Sequence, residues 1–147
     1  MPTGAHHHRI YLSGWAVMAP ATLYAISISP ALAFGMLLGY GLGAILNPDA
    51  DQLAVTYAEG IAIRYLSIFG FVWVGYWTIY AGIFRKKHRS FWTHFPFVST
   101  AIRTFILFWW MYFIPWQSWY GISLFGIFLS LSIVDVGHYV SDMYFGE

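Results

Sequence analysis

Two long runs without a charged residue dominate the chain, and each is longer than one helix crossing of a membrane. The first covers 10–48 and the second lies between Arg103 and Asp135. A membrane-spanning helix needs roughly 20 apolar residues, so each run has room for two. Pro30 marks a turn within the first run, and a proline between tryptophans marks one at the membrane surface in the second. We predict four spans, near 10–28, 31–47, 96–114 and 119–141.

A third uncharged segment, 65–84, is by hydropathy alone long enough for a fifth span. We predict instead that 61–84 is interfacial or re-entrant, because glycines at 70, 75 and 82 weaken a continuous helix and its tryptophans and tyrosines prefer the headgroup level. If 65–84 crosses, the polar groups on its two sides lie a bilayer apart. The predicted fold class is an all-α integral membrane helical bundle, with about four transmembrane helices plus one interfacial or re-entrant segment, in a single membrane domain over 1–147.

Composition excludes a soluble surface and narrows the chemistry. Of the 147 residues 59% are hydrophobic, 22% aromatic and 9% charged, whereas ordinary globular chains carry about 25% charged residues. A net charge of +1 gives no electrostatic attraction to nucleic acid, so we expect membrane lipid and no nucleic acid as partner. Because the chain has 0 cysteines, any metal must be held by histidine and carboxylate. Such ligands suit Zn, with Mn and Fe as alternatives.

The second predicted helix carries a stripe of glycines four residues apart. Small residues at this spacing let another helix approach closely in lipid. We predict that the stripe is a packing surface, which a membrane-protein partner could also use. It consists of Gly35, Gly39 and Gly43.

Candidate metal ligands stand at four places, each at the end of a predicted helix. They are His6-His7-His8, Asp49 with Asp51, His88 with His94, and His138 with Asp142. With four crossings and a re-entrant 61–84, all four places return to one face of the membrane. His138 and Asp142 are four residues apart and share a helix face. Asp135 shares that face and is expected to support His138, while Arg103 must snorkel, pair or face a polar cavity.

Four motifs in order resemble the YdjM-like family of membrane-bound metal-dependent hydrolases and related predicted metal-binding membrane proteins. This group is distantly similar to zinc-dependent phospholipase C and P1-type nucleases. The motifs are MPTGAHHHRI, PDAD, HRSFWTH and HYVSD. The resemblance spans nearly the whole chain and implies phosphoester hydrolysis. His6 or His8 could take the place of His7, because three histidines are consecutive here. The implied metal ligands are His7, Asp49, Asp51, His88, His94, His138 and Asp142.

The leading hypothesis is hydrolysis of a lipid phosphoester at headgroup level by a metal-activated water. Asp51 or Asp142 is the candidate base, and Arg89, with Arg85 and Lys86, could neutralise a phosphate. The basic residues put the charged face in the cytoplasm, at a plasma or inner membrane. The alternative is a non-enzymatic metal-binding or structural subunit of a larger membrane complex. A metal carrier ranks last, because its ligands would be distributed along a transmembrane path.

Overall fold

The computed structural model of the chain describes residues 4–43, 57–84, 92, 95–114 and 117–145. Helices make up nearly all of these residues, and no strand occurs among them, so the predicted all-α class is confirmed. In chain order the helices are α1 (Gly4–Ile28), α2 (Pro30–Leu42), α3 (Tyr57–Leu66), α4 (Ile68–Phe84), α5 (Val98–Phe108), a 3₁₀-helix (Trp109–Phe113) and α6 (Gln117–Phe145).

Ser29 alone separates α1 from α2. Its backbone is extended, and its hydroxyl accepts a hydrogen bond from the Leu32 amide at 3.4 Å. This N-cap, followed by Pro30 at the first helical position, ends one helix and begins the next. The two helices are antiparallel. The Tyr40 hydroxyl near the end of α2 donates to the Tyr11 carbonyl near the start of α1 at 2.7 Å, and the two rings stack. The start of α1 therefore lies beside the end of α2.

The glycine stripe of α2 packs directly against α6. A Cβ atom on Gly35 would lie 2.0 Å from the carbonyl oxygen of Ser123, and one on Gly39 would lie 2.7 Å from Cα of Ile127. From the other side, a Cβ on Gly126 of α6 would lie 2.5 Å from a carbonyl oxygen of α2. No larger side chain fits at these distances. The stripe is thus an intramolecular packing surface, and its use by a separate partner stays a prediction.

The chain between α3 and α4 turns at Ser67. This residue has φ 52°, in the left-handed region that few residues other than glycine adopt. Its carbonyl accepts hydrogen bonds from the amides of Gly70 and Phe71 at 2.9 and 3.3 Å, and α3 packs against α4 across the turn. The glycines at 70, 75 and 82 were expected to weaken a continuous helix, and all three lie within α4, which runs without a break from Ile68 to Phe84. A glycine inside a helix costs only about 1 kcal/mol, which the surrounding apolar helix tolerates.

The order of contacts along α4 gives its direction. Phe69 near its start lines a cavity together with Trp110, just beyond the end of α5. Trp77, two turns later, is fully buried against Ile127 and Leu131 of α6. Because α5 and α6 are themselves antiparallel, α4 runs from the level at which α5 ends toward the level at which α5 begins. The interfacial or re-entrant placement of this segment stays a prediction.

Two of the described helical stretches are long and apolar enough to cross a membrane, Arg9–Ile28 and Ser118–Tyr144. The predicted number of four spans is therefore supported for two only. The described part of α2 has 13 residues and α5 has 11, and at about 1.5 Å per residue neither covers a hydrocarbon core of about 30 Å. After α5 the chain continues as a 3₁₀-helix instead of extending the α-helix.

Candidate metal centre

Four helix termini meet at one end of the bundle, along the last part of α6. A Cβ on Gly43, which caps the end of α2, would lie 2.7 Å from the Val134 side chain, and one on Gly137 would lie 3.6 Å from Ile10 of α1. The first turn of α5 is hydrogen-bonded to Asp135. The start of α1, the end of α2, the start of α5 and the end of α6 thus share one region. We call it the polar end, comprising Ile10, Gly43, Ser99 and residues 134–142.

The side chains of His138 and Asp142 meet at the polar end. The His138 Nε2 atom lies 3.4 Å from Asp142 Oδ2, and the two side chains are 4% and 17% exposed. Hydrogen bonds between nitrogen and oxygen usually measure about 2.7–3.2 Å. By contrast, two ligand atoms that are each about 2.1 Å from a tetrahedral ion lie about 3.4 Å apart. The separation therefore fits two neighbouring ligands of one divalent ion, and it also fits the ion pair that the two side chains form when the imidazole is protonated.

A buried ion pair lies one turn further into the bundle. Nη2 of Arg103 donates to Oδ2 of Asp135, and the two side chains are 2% and 0% exposed. The same oxygen accepts hydrogen bonds from the Ser99 hydroxyl at 3.0 Å and from the Thr100 hydroxyl. Nε of Arg103 donates to the Ser99 carbonyl at 3.3 Å. Of the three arrangements that the sequence left open for Arg103, the structure has the pair. We call these four residues the buried clamp.

Ser99 and Thr100 were missed at the level of sequence. A signal for them exists, because Ser99 stands one helical turn before a cation that has to be satisfied inside an apolar helix. Asp135 was expected to support His138, but the hydrogen bonds described for it go to α5. Asp135 thus connects α6 to α5, although it lies only one turn before His138.

The other predicted ligands lie close in sequence to the polar end. His7 belongs to the first turn of α1, one turn before Ile10, and its side chain lies outside the described part of the structure. Within the described residues, no group of three or more His, Asp or Glu side chains that could hold a metal is formed. The predicted site residues that lie outside the described residues are Asp49, Asp51, Arg85, Lys86, His88, Arg89 and His94.

Comparison with protein families gives an independent indication of metal. A family model described as an uncharacterized metal-binding protein, DUF2227, matches residues 2–126, most of the 147-residue chain. The chain belongs to the DUF2227 family. The expectation of a metal agrees with this description, whereas kinship with YdjM-like hydrolases stays a prediction. Neither the curated proteins nor the solved structures that were compared with this DUF2227 chain gave a match.

The matched region divides the predicted ligands into two groups. It includes His7 and the ligands from Asp49 to His94, and it ends before His138 and Asp142. The case for the last two in this DUF2227 protein rests on their geometry, namely a histidine and a carboxylate at ligand spacing where the helix termini converge.

Proposed function

We propose that this DUF2227 protein is embedded in a membrane and binds a divalent metal ion at the polar end of its bundle. The distribution of side chains supports the membrane location. Leu23, Phe71 and Phe105 are 68%, 63% and 70% exposed, while Arg103 and Asp135 are buried. Large exposed apolar surfaces mark membrane contact, and charged groups inside a membrane protein face its interior. Lipid is therefore the partner that suits the outer surface.

The observation that carries the metal site is the pair of His138 and Asp142, 3.4 Å apart between Nε2 and Oδ2. The pair offers two ligands, and a zinc site takes about four. Other segments must supply the rest. Support comes from the predicted ligands His7, Asp49 and His94, each of which is within six residues of a contact at the polar end.

Zinc is the preferred ion in this proposal, with Mn and Fe as alternatives. The available ligand atoms are imidazole nitrogens and carboxylate oxygens, since the chain has 0 cysteines. Mixed nitrogen and oxygen sites of this type suit Zn, Mn or Fe, whereas sulfur-rich structural sites need thiolates.

Elemental analysis of the full chain, purified in detergent without chelator, tests the metal proposal. We expect a stoichiometric amount of tightly bound transition metal in the wild type and a clear loss in His138→Ala. Val140→Ala is the matched control, because Val140 lies between the two ligands on the same turn of α6 but is 42% exposed. Metal that is absent from the wild type, or fully retained in His138→Ala, would overturn the proposal.

We further propose that the metal site hydrolyses a lipid phosphoester. A bound divalent ion supplies Lewis acidity and lowers the pKa of water toward about 7. Asp51 or Asp142 is the candidate base, and Arg89, with Arg85 and Lys86, would hold a phosphate near the headgroups. The support is the resemblance to YdjM-like hydrolases, together with a carboxylate that is still 17% exposed beside the buried imidazole.

Hydrolysis is tested separately from metal binding. Metal-loaded wild type is incubated with phospholipid vesicles and with a generic phosphodiester, beside Asp142→Asn and the Val140→Ala control. We expect turnover that Asp142→Asn lowers strongly, and because Asp142 is a candidate ligand as well as a candidate base, the metal content of each sample is measured alongside. Metal-loaded protein that cleaves neither substrate would contradict the hydrolase proposal and favour the alternative, a non-enzymatic metal-binding subunit.

The proposed orientation puts the polar end in the cytoplasm. The basic segment that begins at Arg85 would then follow the rule that cytoplasmic loops are rich in Lys and Arg. Because the chain has 0 cysteines, single substitutions Ser29→Cys and Lys86→Cys report the side of each turn by labelling in intact cells. We expect only Ser29→Cys to react with an impermeant reagent. Reaction of both positions from outside would contradict the four-span arrangement.

A further inference from the structure

Stability alone does not account for the buried clamp. Removing a charged side chain from water costs several kcal/mol per ion, and replacing a buried ion pair by apolar residues is often neutral or stabilising. The neighbouring contacts of α5 are already apolar, with Ile102 and Ile106 packed beside Ile127 and Leu131 of α6. The best-supported use of a buried polar group is to fix the register of one helix against another.

The clamp fixes the axial position of α5 against α6. Three donors, on Ser99, Thr100 and Arg103, converge on the single oxygen Oδ2 of Asp135. A slip by one residue moves a helix by about 1.5 Å, which breaks hydrogen bonds at these distances. Apolar side chains can adjust to such a slip, whereas three bonds to one atom cannot.

The clamp also lies between the two ligand-bearing parts of the chain. Asp135 precedes His138 by three residues on α6, and Ser99 follows His94 by five residues at the start of α5. Fixing Ser99 against Asp135 thus fixes the start of α5 relative to the turn of α6 that carries His138.

We propose that the buried clamp positions the metal site, by fixing the start of α5 against the part of α6 that carries His138 and Asp142. This inference rests on the proposed metal-binding function. We assign the clamp residues a positioning role, because Oδ2 of Asp135 is already shared by the Arg103 guanidinium and two hydroxyls. Outer groups that orient ligands change metal affinity about 10- to 100-fold when they are removed.

The test is a titration of the metal-free full chain with Co²⁺, whose visible absorption reports the coordination geometry. In the double variant Arg103→Met/Asp135→Leu the ion pair is replaced by apolar side chains. We expect about 10- to 100-fold weaker Co²⁺ binding and an altered visible spectrum, with the thermal unfolding midpoint of the metal-free protein retained. A folded double variant with wild-type affinity and spectrum would overturn the clamp's role.

A second variant and two controls keep the outcome interpretable. If the double variant does not fold, Ser99→Ala/Thr100→Val removes two donors and leaves the ion pair, and we expect weaker Co²⁺ binding there too; unchanged binding overturns the proposal. Ser130→Ala is the matched control, because within the described part of the chain this buried hydroxyl donates to carbonyls of its own helix, at 3.0 and 3.1 Å. A wild-type Co²⁺ spectrum that His138→Ala leaves unchanged refutes the metal site itself, whereas failure of the clamp variants alone refutes only the positioning role.

Discussion

α6 contacts two of its neighbours, α2 and α5, in opposite ways. At the contact with α2, both helices carry glycines. Their backbone atoms approach so closely that no side chain fits between Gly35 and Ser123. Toward α5, α6 presents a carboxylate that gathers one guanidinium and two hydroxyls. The first contact depends on close van der Waals packing in an apolar surrounding, and the second on charge and hydrogen bonds that are specific in position.

This difference separates what holds the bundle together from what arranges its polar end. Glycine packing gains energy over a long contact but tolerates no added atom, so its disruption should appear in the stability of the fold. The buried clamp is a local device, and its loss should appear chiefly in metal binding. Substitutions on the two faces of α6 can therefore be compared in two measurements, the stability of the fold and the affinity for metal.

The largest expected effect is that of Gly35→Val on folding. Its Cβ would lie 2.0 Å from the carbonyl oxygen of Ser123, and because that atom belongs to the backbone no rotamer change can relieve the clash. Overpacking typically costs about 1–3 kcal/mol and occasionally more, and here we expect a loss of about 3 kcal/mol or more. The measurement is thermal unfolding in detergent, followed by circular dichroism and by the fraction recovered as a monodisperse species. An unfolding midpoint equal to wild type would show that α2 and α6 do not pack as described.

Metal is expected to stabilise the fold through the polar end. An ion that binds only the native state at about 100 times its Kd adds about 2.7 kcal/mol to the free energy of unfolding. We expect this increase in the wild type and in a variant of the glycine face such as Ser123→Ala, but not in His138→Ala. Chelation should reverse it. An equal increase in His138→Ala would place the stabilising ion elsewhere.

The two faces of α6 also differ in how far the sequence predicts them. The glycine stripe can be recognised in the sequence, because its glycines repeat every four residues within one helix. The sequence does not show that Ser123 is the residue against which the stripe packs. Arg103 and its carboxylate are separated by 32 residues; the sequence shows only that a charge inside an apolar helix needs a partner. The turn at Ser67 could not be predicted, since its left-handed backbone occurs at a residue type that rarely adopts it.

A matched pair of serine substitutions sharpens the comparison at smaller magnitude. Ser123 Oγ donates to the Ala31 carbonyl at 3.0 Å on the glycine face, and Ser99 Oγ donates to Asp135 at 3.0 Å in the clamp; both serines are buried. Replacing either by alanine should cost about 1 kcal/mol, or somewhat more for Ser99 because its acceptor is charged. Only Ser99→Ala should also weaken Co²⁺ binding. Equal Co²⁺ affinities in Ser123→Ala and Ser99→Ala would show that the clamp affects metal binding no more than the glycine face does.

The smallest expected effect is that of Gly41→Ala, on the same helix as Gly35. Among the residues that the structure describes, a Cβ at this position would meet nothing within 4 Å, and alanine favours a helix over glycine by up to about 1 kcal/mol. Because Gly41 stands next to the end of α2, we expect only a few tenths of this to appear, as a slightly raised unfolding midpoint with unchanged metal affinity. A loss of stability comparable to that of Gly35→Val would mean that α2 is sensitive to any added methyl group, and that the contact with α6 is not what makes the stripe intolerant.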